Sequence, residues 1–215
     1  FHNDNSIGAL LDIPGLLIAS PSRGDDAVGM LRTCAELAAA HGMVCVFLEP
    51  IALYMQKDLY EPGDDGWQFG YPAPSDAVRF GEARVYHAAD DDHLTLVSFA
   101  NGVPMSLRAR RQLADAGIRA RVVDLRWLSP LPWAQLHQHA RATGRVLVVD
   151  ECRHQGGGPS AHIVAELLAE DPSLRLARVT SRDTFIPLGP AADQVLLSVD
   201  DIVAASQRLV SREPS

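Results

Sequence analysis

Short apolar runs alternate along this chain with longer stretches whose apolar positions recur at helical spacing, and the order of the two sets the architecture. The first run, over 16–19, predicts a strand. Ala27, Met30, Leu31, Cys34, Leu37 and Ala38 then fall on one helical face, Gly42 marks the stop, and 44–48 reads as a second strand. Strand, helix and strand in that order imply parallel pairing through a right-handed crossover. Pro21-Ser22 with Asp25-Asp26 supplies helix-entry chemistry, because their side-chain oxygens can accept otherwise unpaired backbone N–H groups.

From about residue 85 the alternation resumes. Strands are expected over 94–99, 120–125, 146–149, 176–180 and 194–197, interleaved with helices over 104–116, 133–142, 160–169 and 199–210. Such a pattern calls for an α/β fold, an open, mostly parallel sheet with helices on both faces, preceded by a partial second α/β unit. Between the two, over 55–84, periodicity fails while glycines, prolines and acids accumulate. That is linker composition, yet Trp67, Phe69 and Tyr71 alternate within it, so the segment is expected to dock on a domain. The division is therefore 1–54, a linker over 55–84, and 85–215.

A formal net charge of −8 argues against nucleic acid as a ligand, and Lys57 is the sole lysine. No apolar stretch is long enough to span a bilayer; the one near the start is broken by Asp12, Pro14 and Gly15. Phe1-His2-Asn3-Asp4 offers neither a basic leader nor an initiator Met, so the chain is expected to be a piece of a longer cytoplasmic protein. Cys34, Cys45 and Cys152 match no zinc spacing and read as reduced packing residues. Asp90-Asp91-Asp92 reads as a solvated turn. His137 and His139 sit two apart on a helix and face different ways, while His154 and His162 share a loop region that could border a subunit interface. Gly156-Gly157-Gly158 opens a helix without the spacing of a phosphate-binding loop, and Pro159 removes a donor, so close helix-sheet packing is the expected role.

Several phrases occur in one telling order. They are Phe1-His2-Asn3-Asp4-Asn5-Ser6, Ile13-Pro14-Gly15-Leu16, Phe47-Leu48-Glu49-Pro50, Asp124-Leu125-Arg126 with Pro130, Thr143-Gly144-Arg145, Asp150-Glu151 and Asp183-Thr184-Phe185-Ile186-Pro187. In that order the chain resembles the beta-type region of the thiamine-diphosphate-dependent 2-oxoacid dehydrogenases of the transketolase superfamily: the end of the pyrimidine-binding domain, then the transketolase C-terminal domain.

The resemblance implies that His2 is catalytic, since it falls on the family's active-site histidine stretch, with Asn3-Asp4 standing where the family has Ser-Gln. It implies thiamine diphosphate and magnesium in the intact enzyme, and no cofactor-binding residue within this piece, because the family's catalytic glutamate and diphosphate domain lie before the histidine stretch. The implied partners are a second copy or an alpha-type chain, a lipoyl acyltransferase component, and a small 2-oxo acid, pyruvate or branched-chain. The piece alone is expected to be inactive and to serve subunit assembly. A structural cation site of the family starts at the position of Cys34, but 35–43 is longer here, so the metal is left unknown. Trp127, Leu128 and Leu131, read as a loop after a strand, are expected at a subunit contact, with the second block folding and dimerising by itself. Two other readings stand: a ketol transferase of the transketolase or deoxyxylulose-phosphate synthase type, and a non-enzymatic interaction module.

Overall fold

The computed structural model describes residues 6–211. Helix α1 (Ile7–Leu11) leads into β1 (Leu16–Ala19), α2 (Gly24–His41) and β2 (Val44–Phe47), with β1 and β2 parallel as the order of elements requires. After a 3-10 turn at Ile51–Leu53 and a long irregular segment come β3 (Arg84–Tyr86), β4 (Leu94–Ser98), α3 (Gly102–Asp115), β5 (Ala120–Asp124) and β6 (Trp127–Ser129). Then follow α4 (Trp133–Thr143), β7 (Arg145–Arg153), α5 (Ser160–Glu170), β8 (Arg175–Ser181) and α6 (Val199–Ser211). The larger sheet runs β3-β5-β4-β7-β8 and is parallel except at its β3 edge.

Both faces of this sheet are covered, and the strand period shows how. Leu94, Leu96, Val122, Leu147 and Val149 pack with Val103 and Leu107 of α3 and Ile202 and Leu209 of α6. Their neighbours Val97, Val123, Val146 and Val148 point the other way, onto Leu136 of α4 and Ile163 and Leu167 of α5. Every one of these strand residues is essentially removed from water, which is why the strands are apolar on both faces apart from the buried Thr95, Ser98, Arg121 and Asp124.

The irregular segment is tied down by its own acids. Asp64 accepts the backbone N–H groups of Leu59, Tyr60, Glu61 and Gly66, which holds its carboxyl well below the usual range, and Asp58 accepts those of Gly63 and Asp65. Trp67 is buried beside Phe69 with ring centroids 5.2 Å apart, whereas Tyr71 stays exposed.

Three expectations are corrected. No strand forms at 194–197: a 3-10 turn spans Gly189–Gln194, and the N–H groups of Val195 and Leu196 both go to the Ala192 carbonyl. Leu197 is apolar because it is buried under the sheet, not because it belongs to it. Second, 127–129 is a strand. β6 pairs antiparallel with β1, giving a smaller sheet ordered β2-β1-β6. Third, Trp127, Leu128 and Leu131 lie inside this chain rather than at a subunit contact, at 0%, 1% and 8% exposure. Trp127 closes a cluster with Ala19, Met30 and Cys34, and Phe80 meets it edge-on at 5.0 Å. The second block thus lends a strand and its largest side chain to the first, and removing the first would uncover Trp127.

Candidate functional site

In the larger sheet β4 and β7 are neighbours, and the chain leaves β4 toward β5 on one side while β7 leads to β8 on the other. Loops diverging from adjacent parallel strands open a crevice at their carboxyl ends, the usual ligand position in open α/β sheets. Here the crevice is closed on its far side by the carboxyl ends of β1 and β2, making a cleft of about 540 Å³. Its polar lining is Ser20, Glu49, Asn101 and Glu151, and among the described residues the lining includes no Lys, Arg or His. Asn101 follows β4 directly after Ala100, whose φ of 46° turns the chain sharply. Its Nδ2 donates to Glu151 Oε2 at 2.7 Å, while its Oδ1 is buried with no donor. Burial, with Asp150 next in sequence, raises the Glu151 carboxyl above its ordinary range against the lowering pull of the Asn101 hydrogen bond.

One wall of the cleft comes from α1 through Ile7, and a close backbone contact fixes that helix. Gly8 N–H donates to the Gly157 carbonyl at 3.0 Å, and a Cβ on Gly8 would lie 2.2 Å from the Gly156 oxygen. A Cβ on Gly158 would meet the Asp150 carboxylate oxygens at 2.5 and 2.7 Å. Asp150, fully buried, accepts the N–H of Cys152 and of Ser160 and so caps α5 from the strand below. The glycine run is there for approach of backbone and carboxylate, the packing role expected of it. His2, the sequence-predicted catalytic residue, lies outside the described residues; the stretch carrying it leads into α1.

The two sheets are joined by a buried ion cluster. Asp26 receives two hydrogen bonds from Arg84, at 2.6 and 2.8 Å, and two from Arg126, at 2.9 and 3.1 Å. Ser22 donates to Asp124. Ser22 and Asp26 therefore do not cap α2, as expected from sequence; α2 has no side-chain cap, and both residues reach instead to the second block. Burial pushes the Asp124 carboxyl up to about 6, the Asp26 charge adding to the rise, while Ser22 and Arg126 oppose it. A raised acid binds its proton more tightly folded than unfolded, so this group's contribution is fully present below the unfolded value of about 4 and is lost as pH climbs through 6. Urea unfolding across that window should show an Asp124→Asn variant with a flatter stability profile than the parent. Identical profiles would remove Asp124 from the titration.

The remaining sequence candidates are scattered. His154 binds Thr180 and Arg178, whereas His162 stands edge-on to Trp133 at 5.3 Å. His139 is buried beside Arg121, and burial followed by that cation lowers its pKa; His137 lies against Trp133 on the other side of α4. Of the acid run, Asp92 is no solvated turn residue: it is buried and paired with Arg121 at 2.9 Å. Cys34 is packed beside Cys45, and burial pushes its thiol up to about 12, the value of an inert core cysteine. Sequence reasoning missed Asn101 and Glu151. The signal available was position, since each stands at the carboxyl end of a central strand.

Compared with known proteins, residues 81–202 match the family described as "Transketolase, C-terminal domain". The chain belongs to that family. The likeness continues through the first block. The chain is 32% identical over 206 residues to the pyruvate dehydrogenase E1 component subunit beta of Staphylococcus epidermidis, covering 94% of this chain and 58% of that protein. With the Bacillus subtilis subunit it is 30% identical over 215 residues, covering 97% and 60%. The transketolase C-terminal-domain chain thus spans less than two thirds of the length of these relatives. A solved structure described as "Split gene transketolase, inactive beta4 tetramer" superposes with a TM-score of 0.71 over 97% of this chain and 62% of that one, at 23% identity, which shows the shared fold.

Proposed function

We propose that this chain is the C-terminal part of the decarboxylating component of a 2-oxoacid dehydrogenase complex. The complete protein decarboxylates a 2-oxo acid, pyruvate or a branched-chain acid, on thiamine diphosphate and passes the acyl group to the lipoyl group of an acyltransferase. The observation that carries the reading is the continuous similarity over 206 residues, across both blocks, to E1 beta subunits. In the complete enzyme an alpha-type chain or a second copy completes the site, and the location is cytoplasmic.

The cleft at the carboxyl ends of β4 and β7 does not fit the cofactor's diphosphate. Among the described residues its lining has two glutamates and no cation, so it repels such a group; the resemblance puts the diphosphate and its magnesium in the domain before the histidine stretch. What these residues contribute is scaffold: the larger sheet, α1 held by Gly157, and the stretch carrying His2.

The test has two arms. A complete beta-type chain ending in these residues, combined with an alpha-type chain, thiamine diphosphate and magnesium, should acylate a free lipoyl domain when given pyruvate or a branched-chain 2-oxo acid, read by mass spectrometry. Ketol transfer between sugar phosphates with no lipoyl acylation would overturn the assignment. The 215-residue chain by itself should give no saturable heat with thiamine diphosphate and magnesium, and a micromolar site there would overturn the division of labour.

A further inference from the structure

The turn that joins β7 to α5 is clamped to β8 on one side and to α1 on the other, and we propose that His154 makes this clamp a pH latch on α1. The inference uses contacts among the described residues and stands apart from the thiamine chemistry. Arg178 reaches from β8 to both the backbone and the ring of His154: its Nη1 donates to the His154 carbonyl at 2.9 Å, and its Nη2 lies 3.1 Å from Nε2. A guanidinium has no acceptor to offer, so Nε2 takes that hydrogen bond through its lone pair. The ring proton is then on Nδ1, which lies 3.2 Å from Thr180 Oγ1 and donates to it. Both contacts together require the neutral imidazole.

A second proton opens the latch. It occupies Nε2, turns the acceptor into a donor and sets a positive ring against a guanidinium 3.1 Å away, so Arg178 is pushed off the ring and off the carbonyl beside it. The other charged groups on the elements that meet the turn are bonded elsewhere: Arg153 to the Thr184 carbonyl, Glu151 to Asn101, Asp150 to the N–H groups of Cys152 and Ser160, and Asp183 to the Gln155 N–H; His162 on α5 stands against Trp133. What the latch holds is backbone. Gly157 accepts the Gly8 N–H of α1 at 3.0 Å, and a Cβ on Gly157 would lie 2.5 Å from the Arg153 nitrogen, a turn so tight that a shift at His154 carries to Gly157. With five residues, α1 is too short to hold itself. The latch is closed with the neutral ring and opens as pH falls, whereas the Asp124 contribution grows as pH falls, so the two titrations differ in direction.

Hydrogen exchange of the Gly8 amide, followed by NMR in the 215-residue chain and corrected for the intrinsic pH dependence of exchange, reads the latch directly. Its protection, taken relative to the amides of β4, should fall about two- to fivefold between about pH 8 and about pH 5, the range over which imidazoles change charge and the size that exposed charged contacts supply. His154→Gln, neutral throughout, should lose this pH dependence. Arg178→Met, which removes the clamp itself, should show the low protection at both pH values. Gly8 protection that stays constant with pH in the parent chain, the parental fall in a folded His154→Gln variant, or parental protection at about pH 8 in Arg178→Met would each overturn the proposal.

Discussion

Asp26→Ala should lower folding stability by about 3 to 5 kcal/mol, the range for removing one partner of a buried ion pair and leaving the other charge uncompensated. The geometry places it there. Asp26 is 1% exposed and carries four hydrogen bonds from two guanidinium groups, one of which, Arg126, is 8% exposed. Arg84, at 31%, can turn to water, but Arg126 cannot without moving the strand that holds Trp127. The contrast within the same molecule is Arg141 with Glu170, an exposed pair at 55% and 54%, whose removal should change stability by less than about 1 kcal/mol. Urea unfolding monitored by tryptophan fluorescence measures both. Because much of the Asp26 effect is the stranded Arg126, adding Arg126→Met to Asp26→Ala should restore part of the loss. A loss below 1 kcal/mol for Asp26→Ala, or no recovery in the double variant, would mean that the cluster is not what joins the two sheets.

How far the sequence spoke depends on which interactions a stretch uses. Strands β4, β5 and β7 were legible because both faces are covered, so Val146 to Val149 is apolar throughout and Leu94 to Ser98 is apolar except for the buried Thr95 and Ser98. The helices were legible from their period, and α2 also from Gly42 at its end; the structure puts Gly42, and Gly144 at the end of α4, in the left-handed conformation that glycine adopts without strain. By contrast β6 is three residues long, follows Arg126 at a φ of 59°, and pairs with a strand far earlier in the chain. Nothing local distinguishes it from a loop. Leu197 misled in the opposite sense, since burial beneath a sheet and membership of one select the same side chains. The ion cluster was illegible for a further reason: Asp26 lies in the first turn of α2 and reads as an entry residue, and only folding shows that its carboxylate meets arginines at 84 and 126. The cleft residues fall between. Asn101 and Glu151 each stand where an open α/β sheet concentrates its ligand contacts, so the topology pointed to the place, but their pairing needed coordinates.

In the complete enzyme, His2→Ala should slow reductive acylation of the lipoyl domain by about 10²- to 10⁴-fold, the worth of a positioned general acid-base group. The argument begins with the resemblance, which sets His2 on the family's active-site histidine, and with the similarity to E1 beta subunits that runs across both blocks. An imidazole, with an unperturbed pKa of about 6.5, can hold or release a proton near neutral pH, as stabilising the carboxylate and carbonyl oxygens of a 2-oxo acid requires. Its placement depends on the segment that follows. Helix α1 is fixed by Gly8 N–H on the Gly157 carbonyl at a distance only glycine permits, and by Ile7 in the core at 3% exposure. That arrangement predicts a split between the two kinds of damage. His2→Ala should lower kcat with cofactor affinity nearly intact, because no phosphate or metal contact is removed. Gly8→Ala keeps the imidazole in the sequence but forces α1 off the Gly156 oxygen, so it should lower acylation by shifting the helix into which the His2 stretch leads. Single-turnover acylation of the lipoyl domain, with thiamine diphosphate binding measured in parallel, separates the cases. An unchanged acylation rate in His2→Ala would take the imidazole out of the mechanism, and equal losses of rate and cofactor affinity would make its role structural.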